Sequence, residues 1–181
     1  MKKHYLLSIN IFLCTIFVVA SSSIVSHSDD HDKLIVKACS DTPKPELCFN
    51  YIKSDPSNKN VKNVSDVGII MAKVLKRNAK VARDKIQRIA SAKNTQDLKV
   101  QLKACLASYN NILHIDVKVA IESFKDRNPR LAEIGADTAA DGVSDCEESF
   151  NGKSPITTYN NRIHDIALLL AAIAKELQVE N

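Results

Sequence analysis

Glu147-Glu148, the spaced pair Asp137/Asp141, and two histidines with acidic neighbours, His114 beside Asp116 and His164 beside Asp165, are the residues of types suited to moving protons. Their spacing argues against a reaction. Adjacent residues on a helix point in different directions, and carboxylates four apart usually decorate a wet surface. Neither histidine has an identifiable nucleophile in its company. The chain also lacks a Gly-x-Ser-x-Gly elbow, a glycine-rich phosphate loop and a His-Glu-x-x-His metal site. The expectation is a protein that catalyses nothing and uses no cofactor.

The cysteines carry a different chemistry. Met1–Tyr5 holds two lysines, Leu6–Ala20 is an almost unbroken apolar run, and Val18-Val19-Ala20-Ser21-Ser22-Ser23 supplies small residues. Residues 1–23 read as a secretory signal cut near Ala20–Ser23, since the run falls short of the ~20 residues of a spanning helix. Cleavage removes Cys14 and leaves Cys39, Cys48, Cys105 and Cys146 in one domain over residues 24–181. Four cysteines in an exported chain imply two disulfides, with three connectivities formally open. A zinc site is disfavoured, because no Cys-x2–4-Cys pair exists and the histidines are scattered.

Processing also removes Lys2 and Lys3, lowering the formal charge from +4 to +2. This near balance gives no support for a nucleic-acid partner. The cluster Lys73, Lys76, Arg77, Lys80, Arg83 and Arg88 is interrupted by Asp84 and reads as a solvated helix face. Asn63-Val64-Ser65 is the one glycosylation sequon and makes Asn63 a candidate glycan site.

The elements that must position these residues are helices. Val64, Val67, Met71, Leu75, Ala79, Ala82, Ile86 and Ile89 step by three or four, with Ser65 or Asp66 as the cap. Thr95 to Asp126 repeats the pattern through Leu98, Leu102, Leu106, Tyr109, Leu113, Val117, Ala120 and Phe124, capped by Thr95. Pro129 closes that segment and opens the next, about 129–150. This third helix is rich in small side chains (Ala132, Gly135, Ala136, Ala139, Ala140, Gly142), which predicts close approach of a neighbour. After a turn at 151–155, the last helix, about 157–178, packs through Ile163, Ile166, Ala167, Leu170, Ile173 and Leu177. The fold class is all-α: an antiparallel four-helix bundle, about 64–178, behind an N-terminal α-hairpin, about 32–53.

Short helices at 32–38 and 46–52 are too brief to hold themselves together. Pro43 and Pro45 stop the first, and Ser40 or Thr42 can satisfy backbone groups in the turn. A Cys39–Cys48 staple across so short a loop would contribute roughly 2–3 kcal/mol. The remaining pair, Cys105–Cys146, would tie the second bundle helix to the third.

Three stretches together resemble the plant invertase and pectin methylesterase inhibitor family. Cys39, Thr42, Pro45 and Cys48 match its Cys-x2-Thr-x2-Pro-x2-Cys signature. Ala104-Cys105 with Tyr109 matches the second, and the small-residue helix ending in Cys146-Glu147-Glu148-Ser149-Phe150 matches the third. The likeness spans about Asp32 to Leu177. It implies the same bundle, the same two disulfides, and 1:1 inhibition of a plant enzyme by direct binding, with no cofactor. The target is acid invertase, which hydrolyses sucrose, or pectin methylesterase, which de-esterifies homogalacturonan.

In invertase-directed members a Pro-Lys-Phe stretch between the second and third bundle helices enters the substrate cleft. The aligned residues are Pro129, Arg130 and Leu131, which keep a cation and an apolar anchor but lose the aromatic ring. Two readings stand side by side: Arg130 and Leu131 meet the target, or Pro129 merely starts a helix, Leu131 packs inward and Arg130 is solvated. Pro129-Arg130-Leu131-Ala132-Glu133 and the Gly152-Lys153-Ser154-Pro155 turn favour invertase over pectin methylesterase. A non-inhibitory secreted carrier or structural module is the third possibility, and the small-residue helix argues against the lumen a carrier needs. The resemblance and the leader imply an extracellular wall or apoplast location, with the vacuole as the alternative, and no membrane partner after cleavage.

Overall fold

A computed structural model describes residues 25–92 and 96–179. The expected leader over 1–23, Cys14 and the expected Thr95 cap lie outside them. Regular structure among the described residues is entirely helical, so the all-α reading holds. Helix α1 (Val25–Ser40) and α2 (Pro45–Ser54) form the hairpin, and a short 3-10 turn (Pro56–Asn60) leads into the bundle. Its four rods are α3 (Val64–Ala90); α4 (Lys99–Asn111) continuing through a π turn (Ile112–Asp116) into α5 (Val117–Lys125); α6 (Pro129–Glu148); and α7 (Thr157–Val179). No described helix is long and apolar enough to cross a membrane.

Each rod packs on two neighbours. α6 lies against α7 and the 99–125 rod, and α3 lies against the same two, so α3 and α6 occupy opposite corners of the bundle. The apolar stripe of α3 is buried from Val64 to Ile86, with Ile89 partly buried against the core. Its cap departs from expectation. Asn63 accepts the Asp66 N–H at 3.0 Å, and Asp66 accepts the Lys62 N–H at 2.8 Å. Asparagine in extended backbone reaches those unsatisfied N–H groups, whereas Ser65 is already inside the first turn.

The second rod also differs in detail. It opens as a 3-10 turn (Gln96–Leu98), and Leu98 is exposed rather than in the core. A strict step of four from Tyr109 to Leu113 and Val117 drifts around an α-helix. The π turn absorbs the drift by adding a residue, which buries Ile112 together with Leu113.

Small residues do bring α6 close to this rod. A Cβ on Gly135 would stand 2.9 Å from the Asp116 carbonyl oxygen and 3.0 Å from the Ala120 nitrogen. Gly68 plays the matching part on α3, where the Phe124 ring lies over its backbone. Glycine's helix penalty of about 1 kcal/mol is offset by these contacts. The two rods therefore pack in direct contact at Gly135.

In the hairpin, the first helix is longer than the predicted 32–38. Thr42 Oγ1 donates to the Cys39 carbonyl at 2.7 Å and Ser40 Oγ to that of Lys37 at 2.8 Å, while Pro45 starts α2. Cys39 and Cys48 are bonded, with Cα atoms 5.7 Å apart, and both are buried. Lys44–Asp165 (2.7 Å) and Lys37–Glu176 (3.7 Å) connect the hairpin to α7. Asp55 is 3% exposed, accepts from Ser57 N–H, and pairs with Arg77 of α3 at 2.8 Å. Burial alone would raise the Asp55 carboxyl; the Ser57 and Arg77 hydrogen bonds outweigh it and hold the group below its ordinary value.

Candidate functional site

The α5–α6 corner carries the candidate contact residues. Arg127 adopts φ +52°, the left-handed conformation. Asn128 N–H then reaches back to the Ser123 carbonyl at 2.8 Å, and Arg127 N–H to that of Phe124 at 3.3 Å. This paired return closes the helix end with its carbonyls satisfied. Asn128 at once begins the next helix, its side chain accepting Leu131 N–H at 3.2 Å, and Pro129 takes the first turn.

A corner locked this way displays its side chains on a stiff base. Arg130 is exposed, Leu131 is 45% exposed, and Pro129 is half-buried. The inward packing considered for Leu131 is therefore absent; the core position nearby belongs to Ala132. One turn on, Ile134 is also 45% exposed, next to Gly135 at the closest approach of the two rods. The sequence reading missed it. Its signal is an isoleucine between the inward positions Ala132 and Gly135, where a solvated helix face would carry a polar residue.

At the far end of α6 the backbone repeats the motif with a different purpose. Asn151 has φ +54° and Gly152 +76°, Gly152 N–H returns to the Glu147 carbonyl at 3.0 Å, and Asn151 N–H to that of Glu148 at 2.8 Å. Beneath this turn Glu147 accepts from Ser154 N–H (3.1 Å), Ser154 Oγ (2.7 Å), Thr157 Oγ1 (2.5 Å) and Asn160 Nδ2 (2.5 Å). Tyr109 Oη donates to Asn160 Oδ1 at 2.7 Å, bringing the second rod into the same network. The Cys105–Cys146 disulfide, Cα atoms 4.6 Å apart, ties α4 to α6 beside this network. Burial opposes ionisation of Glu147, yet the hydrogen bonds from Thr157, Ser154 and Asn160 hold its carboxyl below the usual value. Burial first, and the Glu147 charge second, push the Tyr109 phenol far up.

The carboxylate candidates have other places in the fold. Glu147 is consumed by structure, and Glu148, Asp137 and Asp141 are exposed. Asp165 is bound to Lys44, and no group of three or more potential metal ligands occurs among the described residues. What α6 presents is a rigid corner.

The family model for plant invertase/pectin methylesterase inhibitors matches residues 33–173. The chain belongs to that family. Its members are enzyme inhibitors, and the chain is an inhibitor rather than an enzyme. It is 30% identical over 140 residues, 77% of this chain and 67% of the other, to the cell wall / vacuolar inhibitor of fructosidase 1 of Arabidopsis thaliana. It is 25% identical over 153 residues, 84% and 80%, to the pectinesterase inhibitor of Actinidia deliciosa. Its fold matches the crystal structure of a pectin methylesterase inhibitor from Arabidopsis thaliana with a TM-score of 0.59 at 14% identity, covering 79% of this chain and 95% of that one. A mutant form from Arabidopsis matches with a TM-score of 0.63 at 15% identity, covering 76% and 92%.

The family's signature residues have structural work in this fold. Cys39, Thr42, Pro45 and Cys48 close the hairpin, and Tyr109 and Cys146 flank the Glu147 network. Ser154, Thr157 and Asn160 were not found from the sequence, because only the corner brings positions 147 and 160 together. Asn160 did leave a trace: it is a polar side chain at an inward position of α7, where buried polar groups need partners. Asn63, the candidate glycan site, is half-buried with its oxygen capping α3, and its sequon partner Ser65 is buried. A glycan there would have to be attached before the helix forms.

Proposed function

We propose that the chain inhibits an acid invertase, binding it 1:1 and occluding its substrate cleft with the Pro129-Arg130-Leu131 corner. The observation that carries this reading is the exposure of a cation and an apolar side chain on a backbone already fixed by the Arg127 return and the Asn128 cap. A preformed loop loses little freedom on association, so its few contacts count in full. The relative named as an inhibitor of fructosidase supports the choice of target. In this reading residues 1–23 direct export and are removed, and the domain of residues 24–181 acts in the wall space, with the vacuole as the alternative destination.

The test adds purified, oxidised protein to an acid invertase and, in parallel, to a pectin methylesterase. Loss of sucrose hydrolysis alone, saturating at one inhibitor per enzyme, is the expected result. Loss of methylesterase activity with invertase untouched would transfer the assignment to the target named for the Actinidia relative.

A further inference from the structure

The bundle's charge is segregated by helix. α3 carries seven basic side chains and two acidic ones, whereas α6 carries one basic and six acidic. Because these helices occupy opposite corners, a chain of small net charge has one basic and one acidic flank. At 100° per residue, Lys73, Lys76, Arg77, Lys80 and Arg88 fall on the outward side of α3. The opposite side is the buried stripe through Met71, Leu75, Ala79, Ala82 and Ile86.

Local acids neutralise part of this ridge. Arg77 is held by Asp55, and Asp84 takes both Lys80 (2.8 Å) and Arg83 (3.0 Å). Lys73 and Lys76 are exposed and have no acid within ion-pair distance among the described residues. Asp55 and Asp84 thus neutralise the middle of the row, while Lys73 and Lys76 at one end and Arg88 at the other keep no acidic partner among the described residues. From Lys73 to Arg88 the row runs about 22 Å along the outer side of α3 at the helical rise of ~1.5 Å per residue. Cations strung out along one helix side suit an extended polyanion better than a compact ligand, which is held by groups converging on one point. No aromatic residue occurs anywhere in α3, so the row offers nothing for nucleobases to stack on. Lysine's ammonium is a point charge that serves single carboxylates spaced along a polymer.

We propose that the outward ridge of α3 docks the protein onto a linear polyuronate, a polysaccharide bearing one carboxylate per sugar. Docking there leaves the α6 side of the bundle free.

Co-sedimentation of the processed, oxidised protein with polygalacturonate at low ionic strength, beside the fully methyl-esterified polymer, tests it without either enzyme. Its failure is therefore distinct from failure of the invertase reading. The expected result is binding to the acidic polymer, at least about tenfold weaker to the neutral one and fading as added salt shortens the screening length. Lys73→Glu with Lys76→Glu should weaken binding at least about tenfold with the melting temperature kept, while Lys73→Arg with Lys76→Arg stays within about twofold. The proposal is overturned by wild-type protein left in the supernatant, equal binding to the esterified polymer, or unchanged binding by the glutamate variant. It is also overturned if the polymer-free protein self-associates in the same buffer and the glutamate variant does not, since the ridge would then be meeting the acidic flank of a second copy.

Discussion

The two ends of α6 use one backbone device for opposite purposes. Both corners turn through a non-glycine residue in the left-handed region, Arg127 and Asn151, and both return two N–H groups to the preceding helix. Under the 149–156 corner, Glu147 gathers four hydrogen bonds and a disulfide lies alongside. The 126–131 corner is closed by its backbone returns and the Asn128 cap, with no comparable buried carboxylate beneath it among the described residues, and turns Arg130 and Leu131 outward. One end ties the bundle together, and the other is the end we propose for target contact. The contrast teaches that a turn can be fixed by backbone hydrogen bonds alone, which leaves its side chains exposed.

Removing the Glu147 carboxylate is the strongest way to break this comparison. Glu147→Ala strands donors on buried Asn160 and Ser154, at a cost on the order of 3 kcal/mol. The melting temperature should drop on the order of 10 °C for a domain of this size. Invertase inhibition should persist wherever the variant remains folded. A melt like that of the wild type would show the network to be ornamental.

Cys48→Ser should cost roughly 2–3 kcal/mol, read as a lower melting temperature under oxidising conditions. An unchanged melt would contradict the staple. At the other corner the sign of the experiment reverses. Arg130→Ala and Leu131→Ala should each weaken invertase inhibition by about 1–2 kcal/mol, roughly tenfold, with helical CD and melting intact. Full potency in both variants removes these residues from the contact.

Acid should sharpen the same distinction. The folded-state pKa of Glu147 lies below its ordinary 4.5, so in acid the unfolded chain binds more protons at this position than the folded one. The stability this group supplies is complete above its ordinary value and drains as pH falls through the folded one. Melting temperatures between neutral pH and about pH 3 should therefore fall less steeply for Glu147→Gln than for the wild type. Parallel slopes would show that the carboxylate's charge is not linked to folding.

The smallest effect is expected at Arg127. A non-glycine residue in the left-handed region carries a cost of about 1 kcal/mol, so Arg127→Gly should be neutral or stabilising by up to that amount. Inhibition should not change. A marked loss of potency would mean that the Arg127 side chain belongs to the contact surface.

Much of the fold was legible because its determinants are local. Helical periodicity along Val64–Ile86, the Asn128-Pro129 break, and the short Cys39–Cys48 loop each act within a few residues. The π turn was not legible, since a stripe stepping by four reads as an ordinary helix until a neighbour demands the extra residue. At the candidate site, the sequence singled out positions 129–131 but left open whether Leu131 points outward, and it did not single out the exposed Ile134. Which side of an amphipathic helix's edge faces solvent depends on how far its neighbours wrap around it.

By itself the sequence determined the helices, the covalent tether of the hairpin and the small net charge, because periodicity, chain closure and ionisable composition are properties of the chain alone. Only the tertiary structure decided that Glu147 would meet Asn160, that Arg130 and Leu131 would stand outward, and that α3 and α6 would lie on opposite flanks. Those outcomes depend on how rods pack around a shared core, and packing brings together residues far apart along the chain.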